Sequence, residues 1–297
     1  SNGSHFQLYA DDAVLVRPIR NQEDEFQLRQ DVRTISEFFA SKGLELNPSK
    51  SALMIVQLGA PTTLMPPLMV NGQAIPQQED IRYLGIQLDR RLSLDKHWSR
   101  VAASGKALMG ALARLVHGDR RMVRYLYRER VEPAFAYGLT SAPPNNQKAW
   151  QSLTSLASYA AHLATNDWDT HGKDVIAKAC LTSPGELALR RGLDHTYRSV
   201  MCGRRWGAFL EKEEGPRRAT RGSSQRTGLE LKELETGSVL LDRLAPKRHI
   251  QMWNAALRIL GPERAKKATR TLKTFQEEYK SIIPCLPPFL RKLSFVA

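Results

Sequence analysis

Cysteine is scarce: the 297 residues hold three, Cys180, Cys202 and Cys285. An odd count with no CxxC pair excludes a disulfide scaffold and points to a reducing compartment. Cys180, His195 and Cys202 stand too far apart for a compact zinc knuckle, and no fourth ligand accompanies them, so the thiols read as buried or free. The histidines at 97, 117, 162, 171, 195 and 249 show neither HxxxH nor HExxH spacing, which excludes the common helix-borne zinc sites. Long apolar runs are missing too. Nothing approaches the roughly 20 residues of a membrane span, and the N-terminus has no signal-peptide core, only a flexible leader at Ser1-Asn2-Gly3-Ser4. No solenoid-type repeat occurs. The expectation is a soluble intracellular chain of two or three compact units, with no membrane partner.

Charge, by contrast, is plentiful and one-sided. The net charge of +14 favours phosphate-bearing partners. It is unevenly spread: residues 1–92 carry 9 Lys/Arg against 11 Asp/Glu, residues 93–130 carry 9 against 3, and residues 243–292 carry 12 against 3. A near-neutral first unit is thus followed by basic helical segments. Each basic run could equally be a solvated helix face.

Within the neutral unit, Phe6-Gln7-Leu8-Tyr9-Ala10-Asp11-Asp12-Ala13-Val14-Leu15-Val16 sets two adjacent carboxylates between β-forming runs. The alternation predicts a strand, a tight turn and a second strand, with acid at the tip. Neighbouring carboxylates repel, so a pair left ionised there points to a cation between them and a substrate. Read alone, the pair is also an ordinary soluble turn.

Downstream, Leu28, Val32, Ile35 and Phe39 predict a helix over 21–41, with Glu23, Asp24 and Glu25 in its first turn and Gly43 as its stop. Pro48 forces a bend, and 52–57 reads as a short apolar strand. Asn71-Gly72 between apolar flanks marks a hairpin. Residues 81–88 read as another strand, with Gly85 at a bulge or close backbone approach. Ser93 is expected to cap a helix to about 116, with Trp98, Val101, Leu108, Leu112 and Leu115 on one face. Asp119 is expected to cap the next, with Arg120, Arg121, Arg124, Arg128 and Arg130 facing outward until Pro133 breaks it. Residues 147–165 form an alanine-rich helix, and Ser183-Pro184-Gly185-Glu186 announces one running toward 210. Residues 211–228 read as a mobile basic linker, 250–260 and 263–279 as helical pieces, and 284–288 as a Pro-rich tail.

Tyr9-Ala10-Asp11-Asp12 resembles the catalytic hairpin of reverse transcriptases. Two further blocks follow in the family's order. Gly43-Leu44-Glu45-Leu46-Asn47-Pro48-Ser49-Lys50-Ser51 is similar to the loop and strand after the palm helix in reverse transcriptases of non-LTR (LINE-type) retrotransposons, and Tyr83-Leu84-Gly85-Ile86-Gln87-Leu88-Asp89 resembles their primer-grip hairpin. The resemblance implies an α+β fold: a partial palm over 1–92, a helical thumb over 93–165, and a basic helical extension over 166–297. It also implies nucleotidyl transfer with two Mg²⁺ (or Mn²⁺) ions about 3.5–4 Å apart. Asp11 would be the direct metal ligand and Asp12 its neighbour in or beyond the first shell. Tyr9 and Ala10 would lie beside primer and template, Lys50 near the departing pyrophosphate, and Tyr83, Leu84 and Gly85 under the primer end. Arg120, Arg121, Arg124 and Arg128 would contact the backbones of an RNA template and a DNA primer or target, reading no sequence. A nuclear location goes with that role.

One departure matters. In the family a further metal-binding aspartate and the fingers precede this hairpin, whereas here five residues precede Phe6. The expectation is therefore a C-terminal palm and thumb that cannot polymerise alone and whose partner is the missing N-terminal portion. A second reading is a retrotransposon-derived nucleic-acid-binding protein whose carboxylates are relics. A third is a scaffold whose basic faces are buried against acidic partners.

Overall fold

A computed structural model describes residues 3–57, 66–117, 119–201, 231 and 245–282. The linker expected at 211–228, the tail at 284–288, Cys202 and Cys285 lie outside the described residues. The chain is α+β and divides into two compact units, Ser1–Leu92 and Ser93–Ala297.

The first unit begins with the acidic hairpin. Strands β1 (His5–Tyr9) and β2 (Asp12–Val16) pair antiparallel from His5 opposite Val16 to Tyr9 opposite Asp12. That register leaves Ala10 and Asp11 as a two-residue turn, with Asp12 opening β2. Helix α1 (Gln22–Ser41) follows, and Asn21 caps it by accepting from the Asp24 N–H at 2.9 Å. Its end is fixed by Gly43 at φ 71°, a left-handed conformation that costs glycine little, with its N–H on the Ala40 carbonyl at 3.0 Å.

The expected strand over 52–57 is not formed. Leu53 makes one isolated parallel bridge with Gln77, and Pro48–Lys50 is a 3-10 turn capped by Asn47. An apolar run becomes a strand only where a neighbour offers a ladder, and here the pairing consists of the Leu53 N–H on the Pro76 carbonyl at 3.0 Å and the Gln78 N–H on the Leu53 carbonyl at 2.8 Å. Asn71 and Gly72 turn β3 (Leu68–Val70) into β4 (Gln73–Ile75) with φ of 50° and 74°, the type I′ geometry the pair favours. Residues 81–88 are a second such hairpin rather than one strand. Leu84 and Gly85, at φ 44° and 81°, connect β5 (Asp80–Tyr83) to β6 (Ile86–Asp89), so Gly85 serves a turn and not a bulge.

The result is three two-stranded ladders rather than a continuous sheet among the described residues. The core is correspondingly small. Leu68, Val70 and Ile75 are buried with Val32, Leu46 and Leu53 packed around them. Leu8, Phe26 and Phe38 remain 51, 52 and 57 % exposed, so much of the unit's apolar surface is uncovered.

The second unit is helical. Helix α2 (Asp95–Leu115) starts one residue later than expected: the cap is Leu94 in the left-handed region, and Ser93 Oγ accepts from the Asp95 N–H at 3.4 Å. Asp119 caps α3 (Arg120–Leu126) as expected, accepting from the Arg121 and Met122 N–H groups. Pro133 does not break the following segment. A wide π turn over Tyr127–Val131 precedes it, and Pro133 falls in the first turn of α4 (Glu132–Ser141), where its missing N–H leaves no bond unmade. Helix α5 (Gln147–Thr165), capped by Asn146, lies against α2 so closely that a Cβ on Gly105 would meet Leu156 Cδ2 at 2.6 Å.

After α6 (Gly172–Lys178), helix α7 (Pro184–Met201) starts at Ser183 as expected, with Ser183 Oγ accepting from the Glu186 N–H at 3.2 Å. Helix α8 (Ala245–Ala268) kinks at Gly261, and α9 (Leu272–Ile282) starts after a break that the periodicity over 263–279 conceals. Thr271 accounts for the break, its Oγ1 accepting from the Thr274 N–H at 3.1 Å. Helices α7, α8 and α9 share a core in which Phe275 stacks on Tyr197 at 5.1 Å and meets Trp253 at 5.3 Å.

His195 of α7 and His249 of α8 face each other there with ring centroids 5.6 Å apart. Burial pushes the His195 pKa down from its ordinary value. The unfolded chain therefore binds this proton more readily than the folded one. The stabilising contribution is complete above about pH 6.5 and is lost as pH falls from there toward the depressed folded value. The thermal midpoint of the helical unit should rise between pH 5 and 7, and His195→Gln should flatten that rise. An unchanged slope in the variant would assign the pH dependence to other groups.

Candidate functional site

The acidic turn is positioned by the base of its hairpin. Arg17, just past β2, donates to Asp31 Oδ2 at 3.1 Å and lies 3.6 Å from Asp24 Oδ1, while Ser4, just before β1, also donates to Asp31. Asp24 and Asp31 are seven residues apart on α1 and so share one face. The spacing of these acids, with an arginine closing the hairpin, was a sequence signal for this latch.

Strand alternation then gives the hairpin two sides. Phe6, Leu8, Ala13 and Leu15 lie on the side turned to α1, where Phe6 meets Phe39 edge-on at 6.5 Å. Gln7, Tyr9, Asp12 and Val14 lie on the other. Tyr9 and Asp12 are a cross-strand pair on that outer side, with Tyr9 63 % exposed, and Asp11 and Asp12 are both exposed. Ala10, in the turn, has φ 52°. A non-glycine residue held in that region costs on the order of 1 kcal/mol or more and is maintained by the turn around it.

The other expected site residues stand elsewhere in the first unit. Lys50 ends the 3-10 turn and is exposed. Tyr83, Leu84 and Gly85 form the tip of the β5–β6 hairpin, which no ladder joins to the acidic one among the described residues. The Tyr83 hydroxyl is enclosed with no hydrogen-bond partner there, so this side chain takes part in packing. The structure thus brings Tyr9, Ala10, Asp11 and Asp12 onto one turn and keeps Lys50 and residues 83–85 on separate ones.

Two hard oxygen donors on a fixed turn suit Mg²⁺ or Mn²⁺ as part of a donor set. They do not complete one, since no group of three Asp, Glu, His or Cys side chains able to hold a metal occurs among the described residues.

In the second unit, Arg120 and Arg121 are exposed at the start of α3, and Arg124 is half-buried one turn on. Arg128 differs. Its guanidinium donates to the Cys180 carbonyl, and its charge, with those of Arg191 and Arg190, opposes the burial that raises the Glu132 pKa. The sequence spacing placed Arg128 with the outward arginines, and it is exposed on the π turn. Cys180 is a free, exposed thiol. No helix among the described residues is long and apolar enough to cross a membrane.

Residues 1–88 match the family model described as "Reverse transcriptase (RNA-dependent DNA polymerase)". The matched span takes in the acidic hairpin, Lys50 and residues 83–85, and it ends before the arginines of α3. No curated protein and no solved structure matches the chain.

Proposed function

We propose that the first unit is the later part of a reverse-transcriptase palm, of the non-LTR retrotransposon kind, and that the basic helical unit holds the RNA template and DNA primer. The observation that carries this reading is the fixed turn presenting Asp11 and Asp12 inside the residues that match the polymerase family. Asp11 and Asp12 would hold Mg²⁺ or Mn²⁺ together with a carboxylate from outside the described residues. The cation's contribution when bound is to stabilise charge on the phosphoryl oxygens. The chain's own part is to aim the two carboxylates, to set Tyr9 beside Asp12, and to offer Arg120, Arg121 and Arg124 to phosphates. On this reading the protein works in the nucleus.

A second reading, nucleic-acid binding without catalysis, is favoured by one observation: the two carboxylates have no third metal-binding partner among the described residues. Both readings require affinity for a template–primer duplex. Its dissociation constant should weaken by about tenfold or more between 50 and 200 mM salt, as expected for several phosphate contacts. Replacing Arg120, Arg121 and Arg124 together by Ala should lower the slope of log affinity against log salt by roughly 1 for each phosphate that is no longer neutralised. A chain that binds no duplex at 50 mM salt would refute both.

A further inference from the structure

The loop between α5 and α6 holds an indole in an unusual setting. Trp168 is 53 % exposed, yet one of its faces is covered: it stacks on the His162 ring at 4.9 Å with 10° between the planes. His171 meets the same imidazole edge-on at 6.2 Å. The loop is firmly held. Asn166 ends α5 in the left-handed region with its N–H on the His162 carbonyl at 2.8 Å. The Asp167 carboxylate accepts from the Asp169 N–H at 3.0 Å, the Thr170 N–H at 3.1 Å and the Thr170 hydroxyl at 2.7 Å, and it pairs with Lys178. These bonds hold the Asp167 carboxyl well below the usual carboxylate range, with the Lys178 contribution the largest. A large ring is therefore fixed with one face backed and the other open to water, a costly arrangement for apolar surface.

The surroundings narrow what the open face takes. The exposed residues next to it in sequence, Asn166, Asp169, His171, Lys173 and Asp174, are polar, unlike the apolar centre of a protein-binding patch. A planar ligand that needs only a π-face suits a lone, immobilised ring, because little side-chain freedom is left to lose. A cation stands on the same side of α5: Lys106 Nζ donates to Ser155 Oγ at 2.8 Å, and Ser155 is two turns before His162, about 10 Å along the helix. Ser158, on the face between them, donates to the Gly172 carbonyl at 3.3 Å.

We propose that Trp168 is a stacking platform for a base of single-stranded nucleic acid, with Lys106 facing the backbone one or two nucleotides away. The inference rests on the reading that this chain binds nucleic acid, and it adds an element for unpaired strands, indifferent to sequence. The test uses the full chain and fluorescein-labelled 12-mer oligoadenylate, as RNA and as DNA, beside a 12-base-pair duplex. Trp168→Ala should weaken binding of both single strands by about 5- to 100-fold, the range for loss of one base–aromatic stack, while duplex affinity and the single-strand salt slope stay within twofold. Trp168→Phe should recover most of the loss, and both variants should keep the parent thermal midpoint within a few degrees. Single-strand affinity of Trp168→Ala within twofold of the parent overturns the proposal and leaves the proposed function standing. So does an equal loss on single strand and duplex, or a loss confined to DNA or to RNA, since the platform sees only the base. A parent chain that binds neither probe refutes the proposed function as well.

Discussion

Trp98→Ala is expected to cost the helical unit about 3–5 kcal/mol, a large share of the 5–15 kcal/mol typical of a domain. The indole is fully buried in α2, and its Nε1 donates to the Ala142 carbonyl at 3.2 Å at the end of α4. It lies flush on the α4 backbone: a Cβ on Gly138 would come within 2.9 Å of its Cη2. Removing the ring opens a cavity beneath a helix that cannot settle into it, and it strips the Ala142 carbonyl of its side-chain donor. Trp98→Phe, which keeps most of the volume and loses the N–H, should cost roughly half as much. Urea unfolding followed by helical circular dichroism reads both, and an Ala variant within about 1 kcal/mol of the parent would mean that α2 and α4 are not coupled through this indole.

The second large effect concerns the acidic turn. In an assembled enzyme, where another polypeptide contributes the further carboxylate, Asp11→Asn should lower nucleotide incorporation by about a hundredfold or more. The amide keeps the shape of the side chain but removes the negative charge a hard divalent cation requires. Asp12→Asn should cost less, about tenfold, the size usual for groups that orient a direct ligand. Asp12 is held in the β2 register opposite Tyr9, whereas Asp11 occupies the turn itself. Duplex affinity should stay within twofold in both variants, because the proposed phosphate contacts lie on other residues. Equal losses in binding and incorporation would show that the substitutions unfold the hairpin rather than disturb chemistry.

Much of this was readable from residues whose chemistry is local. Asn71-Gly72 specifies its own turn, and Asp119 and Ser183 announce helices through oxygens that satisfy nearby N–H groups. The acidic hairpin was legible because alternation and turn fall in one short stretch. What escaped depends on partners distant in sequence. Residues 52–57 carry a strand's composition and make one bridge among the described residues. Leu84 accepts a left-handed φ that its side chain disfavours, because β5 and β6 pair on either side of it. Pro133 looked like a terminator because periodicity counts in 3.6-residue turns and cannot show a π turn ahead of it. The pairing of Asp11 with Asp12 was visible, and the seven-residue spacing of Asp24 and Asp31 carried half of the Arg17 latch, whereas no periodic pattern joins Trp168 to His162 across the end of α5.

On the proposed function, the uncovered Leu8, Phe26 and Phe38 and the two-carboxylate turn belong to part of a polymerase palm that draws a further carboxylate from outside the described residues. The most direct test is primer extension on an RNA template with Mg²⁺ or Mn²⁺, by the purified chain alone and after addition of a separately produced fingers-and-palm polypeptide. The account predicts no templated synthesis by the chain alone and synthesis dependent on Asp11 once the second polypeptide is present. Templated synthesis by the chain alone that Asp11→Asn abolishes would contradict it.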